Sequence, residues 1–217
     1  MRVKTVLNIP IRELEDKIAR QALKNGARIP KSIAMDIRKR SREAFENLKE
    51  EFENSSITQE IEMGPKSNNI SNIVDEPFQN YGNLFSYIGF EDGSNPIAEL
   101  RQTIEESFEN RVNYKGYNQR NMKYSVSIPD KEIIFSPEKN PIPWAEGRSW
   151  VAGIERGISG FAKYLIHNDK TSINGSRSGV AIQTKNPIRS GSGFHNRTYV
   201  SEMIKNFIKN LKNKIRK

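Results

Sequence analysis

Apolar positions recur at helical spacing near both ends of the chain, and the stretch between them changes period several times. Residues 3–9 alternate or run apolar and stop at Pro10, which predicts a short β-strand or an extended arm. Ile11, Leu14, Ile18 and Ala22 then recur as one face of a helix over about 11–25, with Gly26 as a natural stop. Pro30 permits a second start. Ile33, Ile37, Phe45, Leu48 and Phe52 mark one face of a longer helix over about 31–53, and Lys39, Arg40, Arg42, Glu43, Glu46 and Glu50 cover its outer face. Together these two segments predict an amphipathic helical hairpin.

The middle is more varied. Residues 57–63 fit one or two helical turns ended by Gly64-Pro65, and a long loop over 65–83 follows, tethered at Ile70, Ile73, Val74 and Phe78. The continuous apolarity of 84–90 predicts a strand buried on both faces. Asn95-Pro96 reads as an N-cap with proline at the first helical position, and Ile97, Leu100, Ile104 and Phe108 space a helix over about 96–110. Tyr124, Val126 and Ile128 alternate, Pro129-Asp130 turns, and residues 132–135 return, which predicts a β-hairpin. Residues 149–155 favour a strand, with a helix as the alternative, before a bend at Gly157, Ser159 and Gly160; residues 178–185 fit another strand. At the far end Val200, Met203, Ile204, Phe207, Ile208, Leu211 and Ile215 form one stripe of a helix over about 198–215. The fold class is therefore α+β: an N-terminal helical hairpin, an antiparallel β-rich middle and a long C-terminal amphipathic helix. Residues 1–56 read as arm and hairpin, and 57–217 as the core of one structural unit.

Composition adds two constraints. Among 217 residues, 35 Lys+Arg oppose 26 Asp+Glu, a formal charge of +9, which favours a polyanionic neighbour or simply keeps the chain in solution. Hydrophobic residues make up 35% and mean hydropathy is −0.73, low for a compact monomer, which leaves room for a chain that folds and buries remaining apolar surface against partners. With no cysteine, disulfides, thiolate catalysis and cysteine zinc sites are all excluded. No run is long and apolar enough to span a bilayer, and the first ten residues are too short and polar for a signal peptide, so synthesis in the cytoplasm is expected.

The chemistry-bearing residues form no recognisable machine. His167 and His195 lack a nucleophile-elbow sequence or a His-Glu-x-x-His spacing, although Ser176, Ser178 and Asp169 lie near in sequence. Glu146 and Glu155 flank Trp144 and Trp150 and could serve as a glycosidase pair, but Arg156 beside Glu155 suggests a structural ion pair. Residues 175–179 are Gly-flanked and basic, which suits a β-turn better than an anion nest. The lysines of the last helix could lie on DNA, with Lys205, Lys209 and Lys212 as the DNA-facing residues, or could be the solvated side of a packing helix; a membrane-surface helix also fits the pattern.

Four stretches carry a resemblance. They are Ile57–Ile61 leading into Gly64-Pro65, Tyr81–Phe90, Gly147–Gly157 and Ser176–Gln183. The first, third and fourth, followed by a terminal amphipathic helix, resemble proteins encoded among the head–tail joining genes of tailed bacteriophages. The order of helices, β-rich middle and long last helix is similar to tail-completion proteins, and the run Gly153-Ile154-Glu155-Arg156-Gly157 looks like the strand-and-glycine feature of that class. The resemblance covers about 57–217; the N-terminal hairpin and the 65–83 loop depart from shorter members.

What the resemblance implies is a non-enzymatic virion protein without a cofactor, a neck or tail-completion subunit. It implies a ring of six or twelve copies between the head's connector and the tail's terminal ring. Partner-binding residues are then expected at Tyr81, Leu84, Phe85, Tyr87, Phe90, Trp144, Trp150, Glu155 and Arg156, with the apolar rows 84–90 and 149–154 adding strands across subunits. The expected partners are copies of itself, connector and tail-terminator proteins, and non-specific DNA in the channel, with no membrane. The alternative is a non-specific nucleic-acid-binding protein that uses the basic last helix.

Overall fold

A computed structural model describes residues 4–10, 28–73, 83–118, 121–143, 145–157, 165–167, 181–183 and 194–216. The fold is α+β, with a long helix early, short antiparallel sheets between, and a long helix at the end. The chain divides into two compact units. Unit 1 comprises Met1–Glu50, Glu106–Asp130 and Met203–Lys217; unit 2 comprises Glu51–Glu105 and Lys131–Glu202.

Strand β1 (Lys4–Pro10) and helix α1 (Arg28–Glu53) match the expected arm and second helix. Pro30 falls in the first turn of α1, where its missing N–H costs nothing. The expected helix over 11–25 lies outside the described residues. Ile37, Phe45, Leu48 and Phe52 are buried, as their spacing requires, and Ile33 is half-buried. Helix α2 (Ser56–Glu62) and the 3₁₀ turn Gly64–Lys66 follow, so the start of the expected 65–83 loop is a helical turn.

Residues 84–90 are not a strand. They form helix α3 (Leu84–Ile88), whose N-terminus is capped by the Asn83 side chain accepting from Ser86 N–H at 3.0 Å. Gly89 then takes the left-handed conformation, φ 86°, that ends helices. A continuous apolar run of this length cannot separate strand from buried helix by period alone; the two flanking caps decide it. Helix α4 (Pro96–Ser107) begins as expected, with Asn95 Oδ1 accepting from Ala98 N–H at 3.0 Å.

The expected hairpin is also rearranged. Strand β3 (Asn121–Ser127) pairs not with 132–135 but with the polar strand β2 (Val112–Asn118) on one side and β1 on the other. The order is β1-β3-β2, all antiparallel, with Lys4 opposite Ser127 and Pro10 opposite Asn121. Central β3 buries Met122, Tyr124 and Val126, while β2 exposes Asn113, Tyr114 and Lys115 and bulges beside Gly116, φ 116°. Residues 131–134 are instead helix α5 (Lys131–Ile134).

Strands β4 (Pro141–Ile142) and β5 (Ala145–Ser149) make a small sheet, and helix α6 (Trp150–Arg156) follows directly. The 149–155 strand is thus overturned in favour of its helical alternative, because Ser149 Oγ accepts from Ala152 N–H at 3.4 Å as an N-cap. Strands β6 (Leu165–His167) and β7 (Ala181–Gln183) pair antiparallel, the latter inside the expected 178–185 strand. Helix α7 (Val200–Arg216) buries Val200, Met203, Ile204, Phe207 and Leu211 of the expected stripe, while Ile208 and Ile215 are half-buried.

Within unit 1, aromatic rings knit the helical parts. Phe45 stacks on Phe108 at 4.2 Å, and Phe207 meets Phe108 edge-on at 5.6 Å. Lys214 Nζ reaches Glu43 at 3.1 Å, and Arg40 donates to the Lys214 carbonyl near the end of α7, where exposed carbonyls favour a cation. Burial pushes the Tyr124 hydroxyl up to about 12, helped by Tyr114 beside it. Within unit 2, Phe90 packs edge-on against Trp150 at 5.6 Å and lies 5.3 Å from Phe85.

Candidate functional site

Gly147–Gly157, one of the stretches that carry the resemblance, forms the end of β5 and all of α6 in unit 2. Its residues hold backbone in place. Glu155, whose side chain is 6% exposed, accepts from the N–H groups of Tyr199 at 3.1 Å and Ser201 at 2.7 Å, and from the Ser201 hydroxyl. These donors stand at the first turn of α7, whose unpaired N–H groups carry partial positive charge. A carboxylate suits that place, and Lys131 Nζ stands 3.9 Å from it. Arg197 N–H adds a bond to the Ile154 carbonyl at 3.2 Å. Gly157 has φ 76°, a backbone angle that favours glycine, whereas a Cβ there would meet only the exposed side chain of Asn196, which can swing aside.

Beside this junction lies an open groove of about 450 Å³ whose walls include Phe135, Pro137, Gly147, Arg148 and Arg156. Arg156 places its guanidinium 5.6 Å from the Phe135 ring centre, and Lys131 Nζ sits 4.8 Å from the same ring. The groove is thus a basic concavity with one aromatic ring, Phe135, in its wall.

The other expected partner residues fall differently. Leu84, Phe85, Tyr87, Phe90 and Trp150 are all at most 5% exposed and pack inside unit 2, Tyr87 against Phe194 at 5.6 Å. They form core, so the expectation of exposed apolar rows that add strands to a neighbour is corrected: both rows are helical and covered. Tyr81 and Trp144 lie outside the described residues. Glu146 is exposed on β5, whereas the Glu155 carboxylate is already engaged by its three donors. His195 N–H bonds the Ile73 carbonyl at 2.9 Å; for His167 only the backbone is described, as part of β6, and Asp169, Ser176 and Ser178 lie outside the described residues. Lys205, Lys209 and Lys212 are exposed along one side of α7.

Two polar centres carried no sequence signal. Glu60, fully buried, accepts from Ser71 N–H at 2.7 Å and from Leu84 N–H, while Asn83 Nδ2 donates to the carbonyls of Gly64 and Ser67, each at 2.8 Å. One carboxylate and one amide thereby fix α2, the 3₁₀ turn and the start of α3. The second centre is Arg101, which grips Glu53 with two bonds at 2.6 and 2.8 Å and Glu62 with one at 2.9 Å. The bonds from Arg101 hold the Glu53 carboxyl below its ordinary range, and the two carboxylates raise the Arg101 guanidinium. Nearby, the buried Tyr199 hydroxyl shares a 2.6 Å bond with Thr58, and burial pushes it well above the usual phenol range. The partners in each case come from other segments of the chain, so no local spacing could announce them.

No family model matches the chain, and no curated protein or solved structure matches it. Among the described residues no group of acids and histidines could hold a metal ion, and no helix is long and apolar enough to cross a membrane.

Proposed function

We propose that this chain is a structural assembly protein of a tailed phage, a neck or tail-completion subunit that closes into a ring of six or twelve copies. The observation that carries the reading is the Glu155 junction. Two of the features behind the resemblance are tied together by Glu155 at the first turn of α7: the terminal helix and the Gly147–Gly157 stretch, which over 150–156 is a helix and not the strand that the resemblance implied. Their co-occurrence therefore has a physical cause, and the resembling residues serve architecture. Ser149 caps, Glu155 anchors and Gly157 turns, and none of the three is left over for bond chemistry.

The groove walled by Phe135, Arg148 and Arg156 replaces the aromatic row as the surface of unit 2 offered to a connector or terminator protein. Arginine and aromatic groups dominate interface energetics because they combine contact area with directed bonds. The protein is made in the host cytoplasm and ends in the neck of the particle.

Light scattering on the purified chain, with negative-stain images of the same sample, tests this reading. Closed rings are expected. A lone monomer that is also absent from purified particles by mass spectrometry overturns it.

A further inference from the structure

The formal charge of +9 is not shared between the units. Unit 1 holds 23 Lys+Arg against 10 Asp+Glu, a formal +13, whereas unit 2 holds 12 against 16, a formal −4. The whole basic excess thus belongs to unit 1, and residues 203–217 contribute cations with no acid at all.

We infer that unit 1 is a binding module for the phosphate backbone of nucleic acid, and that unit 2 takes no part in the contact. The helical spacing of Lys205, Lys209 and Lys212 lines up three exposed ammonium groups over about 10 Å of α7. On α1, Arg38, Lys39 and Arg42 are exposed as well. A linear polyanion with a charge every ~1.7 Å of axis meets several such groups at once and gains by releasing condensed counterions. Lysine predominates on α7, and its compact charge suits sequence-independent attraction more than base reading, which favours the forked donors of arginine and the amides.

Two rival partners fit less well. A membrane-surface helix needs an apolar face to bury in lipid, but Val200, Met203, Ile204, Phe207 and Leu211 are each at most 7% exposed and already covered by protein. An acidic protein face needs matched spacing, and nothing in unit 1 beyond charge specifies such a match.

The test is anisotropy of a labelled random-sequence DNA duplex with the full chain, titrated across salt. Two charge-matched variants decide the location. One carries Lys205→Glu, Lys209→Glu and Lys212→Glu in unit 1; the other carries Lys66→Glu, Lys139→Glu and Arg197→Glu at exposed positions of unit 2. The unit 1 variant is expected to weaken binding at least about tenfold and to flatten the salt slope by up to about 2.7, three phosphate contacts at 0.9 each. The unit 2 variant is expected to stay within about twofold, because its groups make no contact. Circular dichroism melts exclude unfolding as the cause, and Lys→Gln versions at 205, 209 and 212 repeat the measurement if the reversed charges unfold the chain. Equal losses in both variants would show an effect of net charge alone and overturn the assignment. So would unchanged binding in folded unit 1 variants, or binding to polyglutamate or anionic lipid vesicles as tight as to DNA.

Discussion

The two units are held by different physics. In unit 1 the rings of Phe45, Phe108 and Phe207 join the helical parts, Met122, Tyr124 and Val126 are buried on the sheet, and cations outnumber acids. In unit 2 buried or half-buried acids do structural work: Glu60, Glu155 and Glu53 each accept two or more bonds from groups in other segments of the chain. Both units pair charges internally, unit 1 for instance through Arg40 with Asp36 and Lys214 with Glu43. Unit 1 nevertheless carries a cationic excess that remains for a partner, while in unit 2 acids such as Glu60 and Glu155 hold backbone. A mutation that changes charge should act on binding in one and on stability in the other.

The sharpest way to break that contrast is at its apolar cores. Trp150→Ala in unit 2 and Phe207→Ala in unit 1 each remove a ring at most 1% exposed and should cost about 3–5 kcal/mol in urea unfolding. A smaller cost at one site would mean that its unit packs loosely. Next comes Glu60→Ala, which strands the N–H groups of Ser71 and Leu84 in a buried place. It should cost about 2–4 kcal/mol, with Glu60→Gln milder because one amide oxygen remains to accept. Fast amide exchange at Ser71 and Leu84 is the local readout, and protection unchanged from the parent would refute the role given to Glu60.

Smaller still is the pH-linked pair. Arg101 lowers the folded pKa of Glu53, so its contribution is present above the ordinary carboxylate value of 4.5 and is lost as pH falls through the folded value. Because the groups are more than a third exposed, Arg101→Met should cost only about 1 kcal/mol near pH 7. The difference from the parent should vanish once pH has fallen below the folded value, where Glu53 is protonated in both states. A cost that persists there would make packing, not charge, the role of Arg101. The smallest stability effect belongs to Lys205→Glu in unit 1, within about 0.5 kcal/mol, since the side chain is exposed. A large loss there would erase the distinction between the units.

Much of this was legible in the sequence where one element could be read by itself. The stripes from Ile37 to Phe52 and from Val200 to Leu211 predicted α1 and α7 because a long amphipathic period has few alternatives. Residues 84–90 misled because the buried helix α3 is too short to display a period; Asn83 and Gly89 were the readable clues. The hairpin was misplaced because the partners of β3 are a polar strand, β2, and a strand more than a hundred residues earlier, β1. Of the expected partner residues, Glu155 is engaged inside unit 2, Arg156 lines the groove, and the aromatic row is core and not surface. Apolarity alone cannot tell an interface from an interior. Glu60 and Arg101 were invisible because their partners come from other segments of the chain.

The path of the chain through unit 1 has a consequence for synthesis. Strand β1 and helix α1 leave the ribosome well before helix α7, so Phe108, Glu43 and Arg40 wait for residues 203–217 to supply Phe207 and Lys214. A translation product halted before that point lacks the closing helix, so it loses the packed basic unit as well as its lysines. Aborted chains would then present bare apolar surface to chaperones and proteases and be cleared before they could join an assembly.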